Sequence, residues 1–253
     1  MRLKALYYND CMMFAHTCRM SAASQQSNTL IEEAEKLEEA ANKAMMVVRR
    51  TAEQRLIENL NAACRNGALG AYGALTRIQR GSALSAAFSA MREVVSVFVD
   101  VVPTELAEVA GGRLIDMYIS RLCNEVVALP EISAEGCEQI TEILDEANKN
   151  VEYLLGLVKG MDVLRAGAPP PEIISKVRLG LQRMHAIREI LNARMEDITI
   201  SFRSGNYEGL ISRAEVEHFI RGIFEDTPLR TSFIQDLDVT LKEEEGEWEN
   251  NDW

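Results

Sequence analysis

Apolar residues recur every three or four positions along most of this chain. The longest such run is Leu30, Ala34, Leu37, Ala41, Met45, Val48, Ala52, Leu56, Leu60 and Ala63, one face of a helix. Thr29 and Glu32 stand at its start with the spacing of a capping box, in which hydroxyl and carboxylate each accept from a free backbone N–H. Asn66-Gly67 is a C-terminal stop. The pattern predicts a helix over 29–66, a rod of roughly 50 Å at about 1.5 Å per residue. Glu33, Lys36, Lys43, Arg50 and Glu58 form its polar face.

The same period predicts seven more helices. One covers residues 3–23, with Leu6, Met13 and Ala15 among its apolar positions, and ends at Ser24-Gln25-Gln26-Ser27-Asn28. Residues 82–101 read two ways. Val94-Val95-Ser96-Val97-Phe98-Val99 has the β-branched content of a strand, but Ala83 to Met91 is helical in composition. A helix is predicted there, because no partner strand is evident nearby. Pro103 is expected in the first turn of the next helix, where its missing N–H costs nothing. Leu106, Val109, Ala110, Leu114, Met117 and Tyr118 are its predicted buried stripe, and it stops before Pro130. Gly111-Gly112 in its middle costs about 2 kcal/mol relative to two alanines, and close helix packing is one reason to carry the pair.

Ser133 is placed to cap a helix running to about Gly156. From Glu172, the residues Ile174, Val177, Leu181, Met184, Leu191 and Met195 keep a seven-residue rhythm, with Arg188 the exception. Ser204-Gly205-Asn206 is a turn within a loop from Ser201 to Leu210. Ser212 and Glu215 make a second capping box, ahead of Val216, Phe219, Ile220, Ile223 and Phe224 as a buried stripe. Arg213, Arg221 and Arg230 are expected on the exposed side. Thr227 and Pro228 open a last helix as N-cap and first position, followed by Leu229, Phe233, Leu237 and Leu241.

The fold class that follows is all-α: an elongated helical rod or stacked helical bundles of about eight helices. Gly167-Ala168-Pro169-Pro170-Pro171 is the strongest break. It divides a helical bundle over 1–168 from a C-terminal helical subdomain over 172–242, with an acidic disordered tail over 243–253. Composition agrees: 47% of residues are hydrophobic, only 6% are aromatic, and prolines number six. The formal net charge of -12 argues against nucleic acid as a partner. Arg49, Arg50 and Arg55 are read as the solvated face of a long helix.

Five cysteines without a C-x-x-C pair point to free thiols in a reducing compartment. No signal-peptide pattern and no uninterrupted apolar run of membrane-spanning length are seen, so the expected location is cytoplasmic, without a membrane span.

Catalytic motifs are missing. There is no dinucleotide fingerprint, phosphate cradle, zinc-protease helix or nucleophile elbow, so neither an enzymatic activity nor a cofactor is expected. Asp10, Cys11, His16 and Cys18 tempt as metal ligands, but structural zinc wants four ligands in short paired spacings. His16 is read instead as hydrogen-bonded in a helical interface, and His185 and His218 likewise. Met12-Met13 and Met45-Met46 are read as core, against the alternative of an adaptable peptide groove. Glu131, Glu135, Glu138 and Glu142 offset a helix dipole. Glu215 and His218 have E-x-x-H spacing once, where a di-metal bundle needs two copies. A helical enzyme or ligand-binding bundle is therefore the remote alternative.

Three segments carry more specific information. They are Leu6-Tyr7-Tyr8-Asn9-Asp10-Cys11-Met12-Met13-Phe14-Ala15-His16, Ala128-Leu129-Pro130-Glu131-Ile132-Ser133, and Phe219-Ile220-Arg221-Gly222-Ile223-Phe224-Glu225-Asp226-Thr227-Pro228-Leu229-Arg230. In that order they resemble the C-terminal part of the Zeste-White-Ten family of helical tethering and kinetochore proteins, as does Asp100-Val101-Val102-Pro103. The resemblance implies a CATCHR-like tether region with no catalytic residues. It further implies a subunit of a Dsl/NRZ-type complex that captures COPI vesicles in Golgi-to-ER retrograde transport, peripheral on the endoplasmic reticulum. The docked partner would be a helical solenoid of the Sec39/NAG or Rough-deal type. The alternative role in the same family is the RZZ complex of the spindle checkpoint at the kinetochore. The family's long N-terminal region, which pairs with a RINT/Tip-type subunit, has no counterpart in these residues, so that pairing does not carry over.

The tail stands apart from the family pattern. Glu243, Glu244, Glu245, Glu247, Glu249 and Asp252 surround Trp248 and Trp253, the two tryptophans of the whole chain. One reading is an inert, solubilising or self-docked end. The other is a partner-binding motif using Trp248, Trp253, Glu247, Glu249 and Asp252. It resembles the acidic tryptophan motifs that the δ subunit of the COPI coat recognises, with indoles in a groove and carboxylates on a basic rim.

Overall fold

The computed structural model describes residues 1–64, 77–158 and 172–238. Among the described residues there are nine helices and no strand. They are α1 (Arg2–Gln25), α2 (Asn28–Ala63), α3 (Arg77–Val101), α4 (Thr104–Val127), α5 (Ala134–Leu157), α6 (Glu172–Asn192), α7 (Met195–Arg203), α8 (Arg213–Ile223) and α9 (Pro228–Asp236). The all-α reading is correct, and residues 82–101 are helix despite their valines. The extra helix arises from the segment expected to run unbroken to Met195. Arg194 is extended there, at φ -75° and ψ 154°, and caps a new helix. Asn192 stabilises the break, its Nδ2 donating to Arg188 O at 2.7 Å and to Thr141 Oγ1 at 2.9 Å.

Several local expectations hold. Gly136 N–H donates to Ser133 Oγ at 3.1 Å. The Ser212/Glu215 capping box is reciprocal, and Thr227 caps α9 with Pro228 at its start. Others need correction. α2 already begins at Asn28, so Thr29 lies inside its first turn and is not the N-cap. Gln26 makes the turn between α1 and α2, at φ 51°, with its N–H bonded to Ala22 O. That left-handed stop is usually glycine or asparagine, and here it falls inside the expected break from Ser24 to Asn28. Pro103 is one step outside α4, its carbonyl accepting from Ala107 N–H at 3.0 Å. Asn66-Gly67, Pro169 to Pro171, Leu241 and the tail lie outside the described residues.

The chain divides into two compact units. The first comprises residues 1–62, 82–118 and 150–175. Its core includes Ala34, Ala41, Val48, Ala52, Leu56 and Leu60 of α2, and Met91, Val95 and Phe98 of α3. Gly111 of α4 is not a close approach: a Cβ there would lie 3.4 Å from Val158 and 3.8 Å from Val95, ordinary contact that leaves room for a methyl group. Arg113 and Glu53 pair at 3.0 Å, and Phe88 meets Tyr153 edge-on with centroids 6.1 Å apart. Leu106 and Val109 of α4 are exposed, contrary to the predicted stripe, and Ala107 is buried instead. Gly81–Val101 is long and apolar enough, by length and composition, to cross a membrane. Its buried Ala87, Met91, Val94, Val95 and Phe98 lie at core-helix spacing, and Arg92 and Glu93 interrupt it.

The second unit comprises residues 63–81, 119–149 and 176–253. Ile119, Leu122, Val126, Ile140, Leu144, Ile187 and Ile190 are buried in it, and α7, α8 and α9 pack on one another. Gly180 of α6 sits against α4: a Cβ there would be 3.2 Å from Ile119 Cγ2, tighter than ordinary contact. Arg188 pairs with Asp145 at 2.6 Å, which explains a basic residue in the seven-residue rhythm of α6.

Candidate functional site

The second and third sequence segments meet in the second unit. The connector after α4 runs as a strip beside the C-terminal half of α8. Ile132 N–H donates to Gly222 O at 2.8 Å. His218 Nε2 lies 2.9 Å from Leu129 O, and since a carbonyl only accepts, Nε2 carries the proton in that pairing. A Cβ on Gly222 would stand 3.3 Å from the Pro130 carbonyl oxygen, so glycine lets backbone reach backbone. His218 is thus a structural hydrogen-bonding residue, as the sequence suggested.

Charged side chains clamp the same helix. Arg183 of α6 reaches Glu215 at 2.7 Å, the residue that also closes the capping box. Arg230 was expected on the exposed side, but only 11% of its side chain is accessible. Its Nη1 donates to Phe224 O at 2.8 Å and Arg221 O at 3.2 Å, satisfying carbonyls at the end of α8. Glu217 lies between Arg221 and Arg213, and the hydrogen bond from Arg221, with that from Arg213, holds its carboxyl below the usual range. Phe219 and Ile220 are fully buried beneath this network, whereas Ile223 and Phe224 are half-buried.

The first segment lies on α1, in the other unit, and is split in two by burial. Tyr8, Cys11 and Ala15 are core, while Leu6, Tyr7, Met13 and Phe14 are exposed. The expectation that Met13 and Met46 are core is therefore wrong. His16 is exposed as well, not held in an interface. The sequence does contain the signal: α1 is apolar on opposite faces, so periodicity alone cannot choose the buried one.

Among the described residues, no three His, Cys, Asp or Glu side chains converge as metal ligands. A surface depression of about 370 Å³ is lined by Leu179, Gln182, His185, Glu189, Asn206 and Leu210, and its histidine pairs with Glu189 at 3.3 Å. Burial pushes the Cys64 and Cys123 thiols up to about 11, the opposite of nucleophile activation. Trp248, Trp253, Glu247, Glu249 and Asp252 lie outside the described residues.

What remains is an ordered helical scaffold with surfaces. A family model described as the ZW10 C-terminal helical domain matches residues 82–237, more than half of the chain. The chain belongs to this family. The ZW10 match takes in the 128–133 connector, α8 and Arg230, so the clamped junction is part of the family's common region. It begins in α3, beyond the α1 segment. The chain is also similar to the centromere/kinetochore protein zw10 homolog of Arabidopsis thaliana, at 24% identity over 126 residues. That alignment spans 49% of this chain and 16% of the relative's length.

Proposed function

We propose that this chain is a non-enzymatic subunit of a vesicle-tethering complex in Golgi-to-ER retrograde transport, where it docks a helical partner subunit. The observation that carries the reading is the ZW10 C-terminal domain match over 82–237. A helical scaffold with the buried, high-pKa thiols of Cys64 and Cys123, and no convergent ligand set among the described residues, supports a role exercised through surfaces. The partner is a helical solenoid of the Sec39/NAG or Rough-deal type, and the complex sits peripherally on the cytoplasmic side of the endoplasmic reticulum. Trp248 and Trp253, flanked by Glu247, Glu249 and Asp252, form a second contact, to the δ subunit of the COPI coat. A kinetochore role is the second reading, favoured by the name of the Arabidopsis relative.

Affinity purification of the tagged chain from interphase and mitotic cells, with quantitative mass spectrometry, tests this. Tether subunits should co-purify in interphase, and coatomer should be lost in Trp248→Ala/Trp253→Ala while the tether subunits stay. Recovery of kinetochore proteins alone would establish the second reading, and recovery of neither set would refute both.

A further inference from the structure

We propose that the outward face of α1 is a helix-docking surface, whose occupant is an amphipathic helix of another protein bearing one basic side chain opposite Asp10. Leu3, Leu6, Tyr7, Met13, Phe14 and Met20 are between 41% and 83% exposed. They form two adjacent tracks, Leu3, Tyr7 and Phe14 at steps of four and seven and Leu6, Met13 and Met20 at steps of seven, so they share one broad face, turned away from buried Ala5, Tyr8, Cys11, Ala15 and Ala22. At about 200 Å² for a large apolar side chain, they leave on the order of 700 Å² uncovered. That exceeds the roughly 300–600 Å² of the largest apolar patch on a typical monomer and approaches the ~800 Å² that one partner contributes to a stable complex. A helix apolar on both faces belongs between two layers, and the structure supplies one.

Charge selects the second layer. Asp10 and Thr17 lie along the middle of the exposed stripe, seven residues apart, at the seam positions of a heptad whose other members are Leu3, Leu6, Met13 and Met20. Thr17 is satisfied locally, its hydroxyl donating to Met13 O at 3.0 Å. Asp10 is exposed, and covering it without a cation would bury a lone carboxylate. A second copy of this chain cannot help. Parallel pairing sets Asp10 against Asp10, and antiparallel pairing with Leu3 over Met20 sets it against Met13. An anionic membrane fits no better, because a surface-lying helix carries basic residues opposite its apolar face, and here that opposite face is core. A partner helix with apolar heptads and one central lysine or arginine satisfies every group.

This goes beyond the tether reading and is tested apart from it. Three synthetic amphipathic peptides of about three heptads would carry Lys, Leu or Glu at the central seam position, and be titrated against the full chain by fluorescence anisotropy. The lysine peptide should bind about tenfold more tightly than the glutamate peptide. Asp10→Lys should reverse that order, and Phe14→Ser should abolish binding, with circular dichroism and Tm unchanged because both side chains are exposed. Equal affinity for the three peptides, or no saturable binding, would overturn the proposal. So would a dimer in sedimentation, or flotation with phosphatidylserine vesicles, that Phe14→Ser removes.

Discussion

Replacing Phe219 with alanine separates a structural α8 from a bare interface. Phe219 is 1% exposed, on the buried face of α8 with Val216 and Ile220, one turn after the Glu215 that pairs with Arg183. Truncation forfeits about 2.5 kcal/mol of transfer free energy. If half of a ring of roughly 100 Å³ persists as a void, another ~1 kcal/mol is lost at ~24 cal/mol per Å³. The better helix propensity of alanine returns about 0.5 kcal/mol. The net is about 3 kcal/mol, the lower edge of the range for buried phenylalanines, and it should lower Tm by about 10 °C in a chain of this size. Phe224, half-buried at the C-cap, should cost only about 1–2 kcal/mol on the same reasoning. Far-UV circular dichroism is the assay, because it follows the helices directly. A wild-type Tm for Phe219→Ala, or a larger loss for Phe224→Ala, would refute the packing argument and mark the stripe as an interface.

Two further outcomes are expected. Cys64 and Cys123 are buried with thiols at about 11, so an alkylating reagent at neutral pH should leave both unmodified in the native protein and reach half-exposed Cys18 first, as peptide mapping would show. Rapid labelling of Cys64 or Cys123 would contradict their burial. The lowered folded pKa of Glu217 means its contribution is present above the ordinary carboxylate value of ~4.3 and lost as pH falls through the lower folded value. Glu217→Gln should therefore cost about 0.5 kcal/mol at neutral pH, after allowance for solvent screening, and nothing in acid. Urea titrations at both pH values check it, and a gap independent of pH would remove the ion pairs as its cause.

Local chemistry made most of the helices legible in advance. The Ser133, Ser212 and Thr227 caps, the positive-φ turn at Gly205 and the period of α2, α5 and α8 depend on residues within one or two turns of each other. Such short-range terms are written directly into sequence. The resemblance to the ZW10 family was legible for a similar reason, since short segments such as 128–133 and 219–230 carry it. Which side of a two-faced helix is buried was not. α1 offers aromatics and methionines on one side and alanines, Tyr8 and Cys11 on the other, and only tertiary packing chose the second. Leu106 and Val109 of α4 were misplaced in the same way, because the packing there buries Ala107, while Leu114 and Tyr118 of the same predicted stripe are core. The break at Ala193-Arg194 depends on Thr141, fifty-one residues from Asn192, and the burial of Arg230 on carbonyls of α8. Composition and period thus determined that this protein is helical and where several of its helices begin. The tertiary structure decided which faces are core, and so which are left to meet a partner.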